Sequence, residues 1–141
     1  MIHIKILLVL LVLIFVTPAN AQSYDKAYSL CQKEKPLATL TFKNRSDYHM
    51  TIKIIGLYGG LYETVILPAH SNKNVYFDHT ATYKTKIKAS LRGSVSYHKG
   101  GNFSVTCNES EWTEGEMSFQ LATFGQGLGP KISVKEFESN Q

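Results

Sequence analysis

From Leu37 onward the chain is written in short runs whose apolar residues fall at every second position, and that period decides what it can fold into. Side chains alternate across a strand, so residues i, i+2 and i+4 share one face, whereas a helix repeats every 3.6 residues. Ala38, Leu40 and Phe42 share a face in "LATLTFK", and "NRSD" follows as a turn. Tyr48, Met50, Ile52 and Ile54 do the same in "YHMTIKII", which stops at the glycine-bearing "GLYGG". Leu61, Glu63, Val65 and Leu67 alternate with Tyr62, Thr64 and Ile66 until Pro68 ends the ladder. "NVYF", "TYKTKIKAS", "NFSVTC", "EMSFQLA" and "KISVKEF" complete a set of about eight strand candidates, separated by Gly, Pro, Asn, Asp and Ser clusters. The pattern predicts an all-β domain over residues 37–141, a single antiparallel β-sandwich of two packed sheets.

The strand spacing resembles that of small immunoglobulin-like sandwiches common in exported bacterial proteins, over Leu37 to Phe137. Cys31 and Cys107 are far apart and Trp112 follows the second of them, which departs from the antibody-type Cys-Trp-Cys order. The resemblance therefore implies a fold and carries no functional residue across.

The first 21 residues read as a secretory signal peptide: "MIHIK", an unbroken apolar run from Ile6 to Val16, Pro18, then Ala19-Asn20-Ala21 as a small-x-small cleavage site. The run falls well short of the roughly 20 residues a spanning helix needs. The expected product begins at Gln22, has no transmembrane anchor after signal cleavage, and is secreted or periplasmic. Residues 22–36 form a polar N-terminal segment with a short helix expected around Tyr24 to Glu34. In an oxidising compartment Cys31 and Cys107 are expected to pair as a disulfide. Closing so long a loop stabilises a domain by about 4.5 kcal/mol in the chain-entropy model.

"TYKTKIKAS" sets Lys84, Lys86 and Lys88 on one side of a strand and Tyr83, Thr85 and Ile87 on the other. The basic stripe reads first as the wet side of that strand, since such lysines also discourage edge-to-edge pairing. A docking stripe for an anionic polymer or membrane is the sharper alternative. With a formal net charge of +4, the chain is only mildly basic, and no nucleic-acid partner is expected. Glu109, Glu111, Glu114 and Glu116 surround Trp112, and sign complementarity raises self-association between the acidic and basic patches.

No catalytic, cofactor or metal site is expected. His49, His70, His79 and His98 lack metal-binding spacing, and neither HExxH nor CxxC is present. The carboxylates around Trp112 sit beside a predicted turn, where acids are ordinarily solvated. "GQGLG" lacks the dinucleotide-binding glycine spacing and reads as a bend, and no GxSxG elbow occurs. Asn44, Asn102 and Asn108 each open an Asn-x-Ser sequon.

Aromatic loops remain as the candidates for recognition. Tyr58 and Tyr62 bracket a Gly-Gly pair, Tyr97 and His98 occupy an expected turn in "SYHKGG", and Trp112 interrupts the acidic run. Loops at the ends of a sandwich are where binding concentrates. The sequence reading is an exported, non-enzymatic binding or adhesion-type module that recognises a surface glycan or protein partner through its end loops. The alternatives are a small secreted hydrolase whose residues converge in space and a structural subunit of a surface assembly.

Overall fold

The computed structural model describes residues 36–122 and 127–141. The leader, the expected N-terminal helix and Cys31 lie outside the described residues, as do Gly125 and Gln126 of the glycine-rich bend. Among the described residues the chain is mostly strand, in two sheets. The strands are β1 (Ala38–Asn44), β2 (His49–Gly56), β3 (Leu61–Leu67), β4 (Asn72–Phe77), β5 (Ala81–Leu91), β6 (Ser94–Val105) and β7 (Glu114–Phe119). One sheet has the order β4-β1-β7 and the other β3-β2-β5-β6.

Period-two burial holds on both sheets, except where β2 and β5 also bury Ile55 and Lys86 on the other face. Leu40, Phe42, Val75, Phe77 and Phe119 from the first join Ile52, Ile54, Val65 and Ile87 from the second in one buried cluster. Rings bridge the two: Phe77 of β4 lies 5.1 Å from Tyr83 of β5, and Phe42 of β1 lies 6.2 Å from Phe103 of β6. Each such side chain contributes about 1.5–3 kcal/mol by leaving water.

Three expectations need correction. The pairs are antiparallel except one: β7 runs parallel to β1, with Thr39 opposite Glu114 and Asn44 opposite Phe119. β6 finishes at the end of the molecule where β1 begins, so a short connection delivers β7 in the same direction as β1.

"KISVKEF" is not an eighth strand. Its second half is helix α1 (Val134–Glu138), capped by Ser133, whose side chain accepts from Glu136 N. Ser133 and Glu136 have the S-x-x-E spacing of a helix start, and that signal outweighs the alternation of Ile132 and Val134. Phe137 is the residue this helix buries.

"SYHKGG" is not a turn. The β5–β6 hairpin closes at Arg92-Gly93, both with positive φ, 49° and 84°. That is the geometry of a tight two-residue hairpin. β6 then continues through Tyr97 and His98, and the register shifts between Lys84 and Lys86 as Gly100 and Gly101 pass Thr85. A Cβ on Gly100 would collide with the Thr85 hydroxyl, so the bulge requires glycine there.

The end of the molecule that carries this hairpin is tied by Asn44, which is 2% exposed. Its Nδ2 donates to the carbonyls of Tyr48, Leu67 and Pro68 at 2.6, 3.1 and 3.0 Å, and its Oδ1 accepts from Ser46 N. One side chain thus joins the β1–β2 turn to the β3–β4 turn.

Candidate functional site

β2, β4 and β6 finish, and β1, β3, β5 and β7 begin, at one end of the two sheets. Loops 57–60, 78–80 and 106–113 therefore gather there, and Cys107 N donates to Thr80 Oγ1 at 2.8 Å across two of them. Between the first two loops lies a cleft of about 580 Å3, whose lining includes Leu57, Tyr58, Leu61, Tyr62, His79 and Tyr83. Tyr58 and Tyr62, singled out in the sequence, meet here. His79 and Tyr83 join them without having been marked as site residues.

Each side chain has a structural reason for its place. Tyr62 stacks on Phe77, with ring centres 5.2 Å apart, and its hydroxyl donates to Tyr76 O at 2.8 Å. Its body is thus anchored, and only part of its surface faces the cleft. Tyr83 packs against Phe77 and Phe103 at the top of the core. Tyr58 is fully exposed at 100%, on a loop made by Gly59 and Gly60 at φ 107° and 87°. L side chains rarely adopt such angles, which is why two glycines follow the tyrosine.

Asp78, His79 and Tyr83 form a chain at the mouth. His79 Nδ1 lies 2.5 Å from Asp78 Oδ1, and the Tyr83 hydroxyl lies 3.4 Å from His79 Nε2. A carboxylate beside Nδ1 favours the tautomer with its proton on that nitrogen, which leaves Nε2 to accept from the phenol. Burial, with the neighbouring Tyr62 and Asp78 adding to it, pushes the Tyr83 phenol up to about 12. Burial also raises Tyr62, helped by Asp78 and Glu63. Both hydroxyls therefore hold their protons at neutral pH. They stand here as hydrogen-bond donors, Tyr62 to Tyr76 O and Tyr83 toward His79 Nε2.

The other sequence candidates lie elsewhere. Trp112 sits at the same end over a separate depression of about 440 Å3, and its Nε1 donates to Glu114 at 3.1 Å. Glu116 is paired with Lys43 at 2.5 Å, so two members of the acidic run have partners of their own. Tyr97 and His98 are strand residues. Tyr97 packs on Phe137, with ring centres 5.1 Å apart. His98 is fully buried, with Nδ1 3.1 Å from Gly129 O and Nε2 3.0 Å from Ser96 Oγ.

The basic stripe runs across the strands as well as along β5. Lys86 stands opposite Lys53 on β2 and opposite Lys99 on β6. Like charges facing one another on adjacent strands destabilise a sheet, and α1 offsets this from above. Lys86 is only 5% exposed, and its Nζ donates to the carbonyls of Glu136 and Ser139 at 2.5 and 2.8 Å. Lys53 pairs with Glu138 at 3.3 Å and lies 5.0 Å from the centre of the Phe137 ring. Burial lowers the Lys86 pKa, the Glu136 carboxylate opposes that shift, and nearby Lys84, Lys53 and Lys99 reinforce it. The expectation that all three stripe lysines face water fails at Lys86, because a segment some 50 residues later in the chain covers it.

Among the described residues no cluster of three or more His, Cys, Asp or Glu side chains could hold a metal ion, and no helix is long and apolar enough to cross a membrane. Comparison of the chain with protein-family models, with curated proteins and with solved structures finds no match.

Proposed function

We propose that this chain is an exported, non-enzymatic β-sandwich that recognises a surface glycan in the cleft between loops 57–60 and 78–80. The sandwich is immunoglobulin-like in its two-layer build, though not in strand order. Immunoglobulin domains keep the first and second strands in one sheet, whereas here β1 and β2 lie in different sheets.

One observation carries the reading: Tyr58 stands fully exposed beside a cleft walled by Tyr62 and Tyr83. A free aromatic face beside hydroxyl and imidazole hydrogen-bonding groups suits a sugar ring, which has an apolar face and a hydroxylated rim. The hydrolase alternative would draw on Asp78, His79 and Tyr83, but a phenol near 12 makes a poor nucleophile. The surface-subunit alternative draws on Ile66 and Tyr76, exposed at 68% and 53% on strands β3 and β4, each at the edge of its sheet.

A glycan array probed with the chain from Gln22 onward tests the reading, with a peptide display library run in parallel. Tyr58→Ala should weaken the glycan signal at least about tenfold, equivalent to about 1.4 kcal/mol. Binding to peptides alone, or glycan binding indifferent to Tyr58→Ala, would remove the proposal.

A further inference from the structure

Residues 130–141 cross the outer face of the four-stranded sheet and finish on the loop that carries Tyr58. At the β6 edge, Lys99 N donates to Pro130 O and Ile132 N to Tyr97 O, both at 2.9 Å. In the middle, α1 sits on Lys53 and Lys86 through the contacts given above, with Phe137 buried beneath it. At the far side, Gly60 N donates to Asn140 O at 2.8 Å. A Cβ built on Gly59 would lie 3.5 Å from that same carbonyl, so the two backbones are close neighbours.

The loop needs such a tie. Within itself it has Gly56 N to Gly60 O and Gly59 N to Gly56 O, both at 2.9 Å, and Leu57 N reaches Thr82 O at 3.0 Å. Gly59 and Gly60 restrict their own backbone least of all residues. The fully exposed Tyr58 side chain adds no anchor. The bond from Gly60 to Asn140 joins this loop to the segment held by the lysine row.

We propose that residues 130–141 act as a strap that sets the position of Tyr58 from the sheet face: Lys53 and Lys86 hold α1, and Asn140 holds Gly60. This rests on the cleft reading above and adds its regulation. Whatever loosens the lysine contacts under α1, such as a polyanion competing for the lysines, frees the Tyr58 loop from outside the cleft. Glu138 is largely exposed in its pair with Lys53, so salt should weaken that contact.

Amide hydrogen exchange followed by NMR, with no ligand present, tests the coupling. Lys86→Met, and separately a chain ended at Ser139, should each speed exchange of the Gly60 amide about tenfold or more beyond whatever change Ile52 and Ile87 show, since those core amides report the global stability. Faster exchange at Phe137 in Lys86→Met with Gly60 unchanged would overturn the proposal, as would unchanged Gly60 exchange in the chain ended at Ser139. Should Lys86→Met unfold, Ile52 and Ile87 lose protection as well, and Glu138→Gln, which weakens the hold of Lys53 on α1 and keeps Lys86 and Asn140, decides the matter: unchanged Gly60 exchange in it overturns the proposal. Since no ligand is used, failure here is distinct from failure of the glycan reading on the array.

Discussion

Lys86, near the middle of β5, donates its ammonium to the carbonyl of Ser139, 2.8 Å away and 53 residues further along the chain. The same nitrogen reaches Glu136 O, so one cation satisfies two carbonyls around the C-terminal end of α1. Cations are favoured at that end of a helix. What reads as surface decoration on a strand is the attachment point of the strap.

Lys86→Met should therefore destabilise the fold by about 1–3 kcal/mol, since it strips both carbonyls of their donor. The midpoint of urea unfolding reads this directly. A change below about 0.5 kcal/mol would mean that water replaces the ammonium at no cost.

Alkaline pH should unfold the protein partly through Tyr83. Its folded-state pKa is raised to about 12 from 10.0, so between those values the unfolded chain loses a proton that the folded chain keeps. The stabilisation is complete below pH 10 and is lost as pH rises through the folded value, a change of order 2–3 kcal/mol. Tyr83→Phe should flatten the fall in stability over that window. An unaltered slope in the variant would place the alkaline sensitivity in another group.

Asn44→Ala should be among the most damaging single changes, about 3 kcal/mol or more, because three carbonyls lose one shared donor. Thermal unfolding measures it. The same burial separates the sequons. Made in a eukaryotic secretory host, the chain should carry glycans at the exposed Asn102 and Asn108 and none at Asn44, as site-resolved mass spectrometry would report.

The expected pairing of Cys31 with Cys107 is open to a chemical test. The buried Cys107 Sγ lies 3.2 Å from Pro36 O, and the five residue steps from Cys31 to Pro36 span up to about 17 Å when extended. Chain recovered from an oxidising compartment should resist alkylation at both cysteines until it is reduced. Reduction should then lower its stability by about 2–5 kcal/mol. Prompt alkylation of Cys31 without reductant would refute the pairing.

How far the fold could be read from the sequence depended on range. Period-two burial is local, so Leu40, Phe42, Ile52, Val65 and Ile87 sit inside as their alternation requires. The role of Arg92-Gly93 was hidden because the louder "HKGG" drew the turn away from it, and a bulge opposite Thr85 let the strand run through both glycines. α1 had a local signature in Ser133 and Glu136 that the apolar alternation masked. The cover over Lys86 had none, because its partners lie at positions 136 and 139.

The candidate cleft was half legible. Tyr58 and Tyr62 stood out beside paired glycines, whereas His79 and Tyr83 arrive from another hairpin, and only the strand register brings them alongside: Gly56 stands opposite Tyr83. Trp112, the most conspicuous aromatic residue, belongs to a different surface at the same end.

The most direct test of recognition at this end is an NMR titration of the labelled chain with the glycan that scores highest on the array, following backbone amides and the Tyr58 ring. Shifts concentrated at residues 57–62 and 79–83, and lost in Tyr58→Ala, are the expected result. Shifts centred on Trp112 or on the lysine row, with loop 57–60 silent, would contradict it.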